Sequence, residues 1–101
     1  VVGLLDLWPG KAPHDRQVWH FGMSVASAYR RQGIGRRLVV DAVDRCRSEP
    51  AACRLELEVV PWNAPAIALY RSLGFVVDAT KAKAINLRGR PEDLLLMAMV
   101  W

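Results

Sequence analysis

Residues 30–46 read Arg30-Arg31-Gln32-Gly33-Ile34-Gly35-Arg36-Arg37-Leu38-Val39-Val40-Asp41-Ala42-Val43-Asp44-Arg45-Cys46, and this stretch decides the fold. Ile34, Leu38, Ala42 and Cys46 recur every four residues and are joined by Val39 and Val43. They form one apolar stripe, the mark of an amphipathic helix. Upstream, Gln17–Val25 (QVWHFGMSV) is rich in Val and aromatic residues and reads as a strand. A strand, then Gly33-x-Gly35, then a helix is an arrangement that binds anions. The helix N-terminus offers unpaired N–H groups and partial positive charge, and glycines let a phosphate approach the backbone. The arginine cluster Arg30, Arg31, Arg36 and Arg37 flanks the same glycines. There is no Gly-Lys-Ser/Thr, which excludes a P-loop. There is no third glycine and no acidic residue ending the next strand, which excludes the dinucleotide fingerprint. A tight turn into a helix uses the same two glycines, and spacing alone does not choose between these readings.

Outward from this stretch the elements follow one another without a linker. Val1–Trp8 reads as a strand, and Pro9-Gly10 to Asp15 as a loop. Ser48-Glu49-Pro50 stops the helix. Arg54–Val60 (RLELEVV) alternates, with Leu55, Leu57 and Val59 on one face and Glu56 and Glu58 on the other. Pro61-Trp62 ends that strand. Asn63 caps a second helix over Ala66–Leu73, with Pro65 in its first turn and Gly74 as a left-handed cap. Phe75–Ala79 reads as a strand, and the sequence leaves open a further short one over Lys81–Leu87. Arg88–Pro91 reads as a turn, and Leu94–Trp101 as a mostly buried final strand. The order β-β-α-β-α-β-β predicts an α/β (α+β) fold, a mixed sheet with helices packed on it, in one domain over residues 1–101.

Composition narrows the function classes. The chain has 101 residues, 52% hydrophobic and 24% charged, which places it among globular domains and not disordered segments. No apolar run approaches the roughly 20 residues of a membrane span. Fourteen Lys and Arg against ten Asp and Glu give a net charge of +4, suited to an anionic partner. The arginines cluster at glycines and not along an exposed helix face, which argues against nucleic acid. Cys46 and Cys53 form no Cys-x-x-Cys and read as reduced thiols of a cytoplasmic protein. His14 and His20 lack ligand spacing with each other or with the cysteines, so no metal is expected. Trp8, Trp19, Trp62 and Trp101 form no regular stripe and read as packing residues.

Two motif blocks together resemble the GNAT N-acetyltransferase family. Arg30-Arg31-Gln32-Gly33-Ile34-Gly35 is similar to the family's Arg/Gln-x-x-Gly-x-Gly/Ala signature, with Val25 and Tyr29 spaced before it as in that family. Leu57-Glu58-Val59, then Asn63-Ala64-Pro65-Ala66-Ile67-Ala68-Leu69-Tyr70, then Leu73-Gly74-Phe75 resembles its Asn-x-x-Ala-x-x-Leu-Tyr-x-x-x-Gly-Phe segment. Asp93 and Leu96-Met97-Ala98 resemble the closing strand of bacterial members. The resemblance covers essentially the whole chain and implies an acyl-CoA N-acyltransferase fold, a mixed sheet with helices on both faces.

The resemblance also implies a cosubstrate, acetyl-CoA, lying where two central parallel strands splay apart, about Gln17–Val25 and Arg54–Val60. The backbone of Met23, Ser24 and Val25 would pair with its pantetheine arm. The N–H groups of Gln32, Gly33, Ile34, Gly35 and Arg36 would cradle the pyrophosphate within the Arg30–Arg37 cluster, and Arg31 and Arg36 would add charge-assisted contacts. Asn63 would touch the cofactor and Tyr70 would reach toward its sulfur.

The implied chemistry is direct attack of a primary amine, on a small molecule, an amino acid or a peptide N-terminus, on the thioester. The Val25 N–H would steady the developing oxyanion, and Tyr70 would be the acid. Glu58 is the first candidate base because members that acetylate ribosomal-protein N-termini carry a Glu at the matching position. Glu56, His20 or water are alternatives. In the structural reading Glu56 and Glu58 are either a solvated strand face or partners of Arg54 and Arg71. The competing function is a non-catalytic acyl-CoA-binding module. The segment Trp8–Arg16, with His14, Asp15 and Arg16, and the turn Arg88–Pro91 are candidate acceptor-side elements, and neither names a substrate.

The chain opens on Val1-Val2-Gly3 with no initiator Met and no leading turn. Complete family domains carry a strand, two helices and another strand before the matching "vvG" strand. The expectation is a truncated chain holding the C-terminal, cofactor-binding portion, or a homodimer in which a second copy covers the open sheet edge.

Overall fold

The computed structural model describes residues 3–11, 13–25 and 33–101. Among these residues five strands and two α-helices make a mixed α/β fold: β1 (Gly3–Pro9), β2 (Val18–Val25), α1 (Ile34–Arg47), β3 (Arg54–Val59), α2 (Ala64–Ser72), β4 (Val76–Leu87) and β5 (Arg90–Val100). This is the expected order. The chain divides into two compact units, one of residues 1–55 and 100–101 and the other of residues 56–99, with the boundary inside β3.

In the first unit β1 pairs antiparallel with β2, Gly3 opposite Val25 and Pro9 opposite Trp19. Strand β1 therefore runs through Pro9, which the sequence assigned to the loop. The connection turns at Gly10, whose N–H donates to the Val18 carbonyl at 2.8 Å. A Cβ there would lie 2.2 Å from the Asp15 carbonyl oxygen, so the turn admits only glycine. A short 3-10 turn, Pro13–Asp15, lies in the expected loop. Helix α1 packs on β1 and β2. Its stripe buries Val39, Ala42 and Cys46, together with Phe21, Ala52 and Leu55 of the same unit. Ile34, Leu38 and Val43 are half-buried. Gln17 starts no strand, but its carbonyl accepts the N–H groups of Cys53 and Arg54 at 2.9 and 3.2 Å. Trp101 donates its N–H to the Cys53 carbonyl at 3.0 Å, and the Arg47 guanidinium sits 5.3 Å from the Trp101 ring centroid.

In the second unit the hydrogen-bonded strand order is β3-β5-β4. The alternation of β3 is as expected, with Leu57 and Val59 buried and Glu58 exposed. Leu57, Val59, Tyr70, Phe75, Met97 and Ala98 form this unit's core.

Several expected boundaries change. The two strands over Phe75–Ala79 and Lys81–Leu87 are one strand of 12 residues, and Phe75 precedes it. Two register shifts interrupt its pairing with β5, between Val77 and Ala79 and between Lys81 and Ile85. At the second, Lys83 takes φ 49 and its N–H donates to Asp93 Oδ1 at 2.9 Å. The bulge absorbs extra residues without ending the strand. The turn expected over Arg88–Pro91 is only Arg88-Gly89, both at positive φ, and Arg90 and Pro91 already belong to β5. β5 is buried at Met97 and Ala98 but open at Val100. Trp62 is 66% exposed and is not a packing residue within its unit.

Candidate functional site

The expected site residues fall into two groups, one in each unit. In the first, Met23, Ser24 and Val25 end β2, held opposite Leu5, Leu4 and Gly3. Arg30, Arg31 and Gln32 lie outside the described residues. Gly33 follows at φ 78, in the left-handed region, as the N-cap of α1. Among the described residues a Cβ built on Gly33 meets nothing within 4 Å, so the backbone torsion is what calls for glycine. The first helical bond is Arg37 N–H to the Gly33 carbonyl, 3.1 Å. Helix geometry leaves the N–H groups before it without acceptors inside the helix.

The charges at this helix start run against ordinary practice. Helices favour Asp or Glu in the first turn, where the macrodipole is positive. The first turn of α1 carries no acidic residue, and Arg36 follows Gly35 there. A basic first turn adds positive charge to the positive end of the macrodipole. This is the donor set that a phosphorylated ligand fits.

In the second group, Asn63 caps α2, its Oδ1 accepting the Ala66 N–H at 3.4 Å, with Pro65 in the first turn as expected. About two helical turns after Asn63, Tyr70 is buried, its ring meeting Phe75 edge-on with centroids 6.0 Å apart. Burial pushes the phenol pKa above its ordinary 10, so at neutral pH the group keeps its proton and is a donor. Gly74, at φ 104, reverses the chain between these two rings.

Glu58 projects from β3 and accepts a hydrogen bond from Lys81 Nζ at 2.8 Å. Its partner is therefore Lys81 of β4, not Arg54 or Arg71. The same contact raises the Lys81 pKa, and Glu56 adds to it through space. Sequence reasoning passed over Lys81. It stands 23 positions from Glu58 with β5 between their strands, and no periodicity links them. Of the alternative bases, His20 of the first unit is stacked on Trp8, centroids 6.0 Å apart and planes 20° from parallel. His14 and Asp15, in the candidate acceptor segment, are 3.6 Å apart and exposed.

Cys46 and Cys53 are free thiols, and burial, helped by Glu49, lifts the Cys46 pKa to about 11. Among the described residues no group of three or more His, Cys, Asp or Glu could hold a metal ion, and no helix is long and apolar enough to cross a membrane.

Comparison with known proteins sets this geometry in context. The model of the acetyltransferase (GNAT) family matches residues 1–75. The chain is 32% identical over 100 residues to L-amino acid N-acetyltransferase AaaT of Escherichia coli, covering 99% of this chain and 62% of that protein. It is 38% identical over 79 residues to the ribosomal protein bS18-alanine N-acetyltransferase of Escherichia coli, covering 78% of this chain and 53% of that one. Among solved structures, yncA from Salmonella typhimurium, determined with its cofactor acetyl-CoA, superposes at a TM-score of 0.89 with 25% identity over 98% of this chain and 57% of that one. The chain thus spans between half and two thirds of the length of these three relatives.

Proposed function

The chain belongs to the acetyltransferase (GNAT) family, and from that premise we propose that it serves acetyl transfer from acetyl-CoA to a primary amine. The acceptor class is a small amine, an amino acid or a peptide N-terminus. The observation that carries the reading is the start of α1: a left-handed Gly33, then a first turn holding Arg36 and no acid. Such a terminus fits a pyrophosphate. The names of the two Escherichia coli relatives support an amino-acid or alanine α-amine as acceptor.

Acetyl-CoA, when bound, supplies an activated acetyl thioester. The residues of the chain do the rest. Ile34, Gly35 and Arg36 would hold the phosphates, and the end of β2 at Met23, Ser24 and Val25 would align the arm. Asn63, whose carboxamide oxygen is engaged in its cap, offers its NH2 end. Glu58 takes a proton from the acceptor ammonium, which must be neutral to attack; reference values are near 8 for an α-amine and 10.4 for a lysine-type amine. The Val25 N–H donates toward the negative charge that develops on the carbonyl oxygen. Tyr70 would give its proton to the sulfur as the carbon–sulfur bond breaks, and the second proton, shed by the nitrogen as the amide forms, would restore the phenol.

An acceptor screen tests this: acetyl-CoA with a panel of amino acids, alanyl peptides and alkylamines, read by thiol release. Turnover with at least one amine is expected. Acetyl-CoA binding without turnover of any amine would instead favour a non-catalytic acyl-CoA-binding module.

A further inference from the structure

No motif covers Lys81, yet its ammonium is the partner of the carboxylate proposed as base. Nζ lies 2.8 Å from Glu58 Oε2, and the lysine chain spans β5 to get there. Both side chains are about half exposed, at 51% and 44%. An ion pair in that setting adds little to stability, so folding does not explain why it is made. Lys81, opposite Leu94, is the last regular position before the second register shift of β4. Beyond it Lys83 turns left-handed and is tied to Asp93. Bulges re-aim the side chains beside them.

We propose that Lys81 is the positioning residue of this site: it holds Oε2 of Glu58 and leaves Oε1 turned to the acceptor amine. The inference rests on the reading of Glu58 as base. A carboxylate has two oxygens and about four lone-pair sites, so one oxygen can be anchored while the other works. An unanchored glutamate at an exposed strand position samples several rotamers, whereas proton transfer needs the base within about 2.6–3.2 Å of the nitrogen. In the step, an N–H bond of the acceptor ammonium breaks, its electron pair stays on nitrogen, and the proton passes to Oε1. Lys81 keeps its three protons throughout.

A double-mutant cycle in the full chain tests it, with Glu58→Gln, Lys81→Met, both together, and Lys81→Arg, using the most active amine of the panel at saturating acetyl-CoA. Lys81→Met is expected to lower kcat about tenfold, part of the roughly 10²–10⁴-fold that a placed base supplies. KM for acetyl-CoA should hold, Lys81→Arg should recover most of the loss, and on the Glu58→Gln background the Lys81 change should cost less than twofold. Without any ligand, the Lys81 ammonium protons should exchange slowly in nitrogen-resolved spectra and lose that protection in Glu58→Gln. If Glu58→Gln leaves kcat intact, or no amine is turned over, the base reading fails and takes this inference with it. If Glu58→Gln is slow but Lys81→Met is not, or the two losses multiply independently, or Lys81 shows no protection, only the inference is overturned.

Discussion

Tyr70 and Phe75 meet edge to face, ring centroids 6.0 Å apart and planes at 66°, across the left-handed Gly74. The Phe75 N–H also donates to the Tyr70 carbonyl at 3.0 Å. Ring and backbone together fix the phenol at the end of α2. Tyr70→Phe keeps the ring and removes only the hydroxyl. It should lower kcat by roughly 10²-fold, leave KM for acetyl-CoA near its original value, and shift Tm little. The acid works only while protonated, and burial raises its pKa above 10. No loss of kcat assignable to Tyr70 should therefore occur as pH rises to 9.

Gly33 provides a backbone test. Its φ of 78 is unfavourable for a residue with a Cβ, while among the described residues nothing crowds that Cβ. Gly33→Ala should cost about 1–2 kcal/mol through the torsion alone, and Gly33→Asn less, measured by urea unfolding.

Arg36 stands in the first turn of a helix that has no acidic residue there. Arg36→Ala should weaken acetyl-CoA binding about tenfold, in keeping with the roughly 1.5–3 kcal/mol of a charged hydrogen bond. The dependence of affinity on salt should become shallower. Binding by calorimetry at two ionic strengths measures both.

Cys46 gives a pH signature. Its thiol pKa rises from 9.0 to about 11 in the folded chain. Below pH 9 both states keep the proton and the contribution to stability is complete. Between pH 9 and 11 the unfolded chain ionises while the folded chain does not, so stability falls as pH rises through this window. Cys46→Ala should remove that part of the slope, seen by comparing urea unfolding of the two proteins at pH 8 and pH 10.5.

Local patterning made much of the fold legible. The alternation of Leu55, Leu57 and Val59 against Glu56 and Glu58, the Asn63 cap with Pro65, and the stripe through Val39, Ala42 and Cys46 are short-range signals with one physical solution each. The rest depends on tertiary pairing. β4 continues past Lys81 because Asp93, ten residues on from Lys83, accepts its N–H, and no local propensity announces that. Pro91 suggested a turn, yet it pairs opposite Asn86 near the start of β5, where a strand tolerates a missing donor. The Lys81–Glu58 pair spans a strand and leaves no trace in spacing. At the site, the two glycines and the Asn-to-Tyr run were readable because each is one continuous segment.

Acetyl-CoA is the cosubstrate proposed for this chain. Its titration into the folded protein, with heat as the readout, tests the proposal without an acceptor. Saturable binding near one per chain, weakened by Arg36→Ala, is expected. A protein that unfolds cooperatively, and so is folded, yet takes up no acetyl-CoA would contradict it.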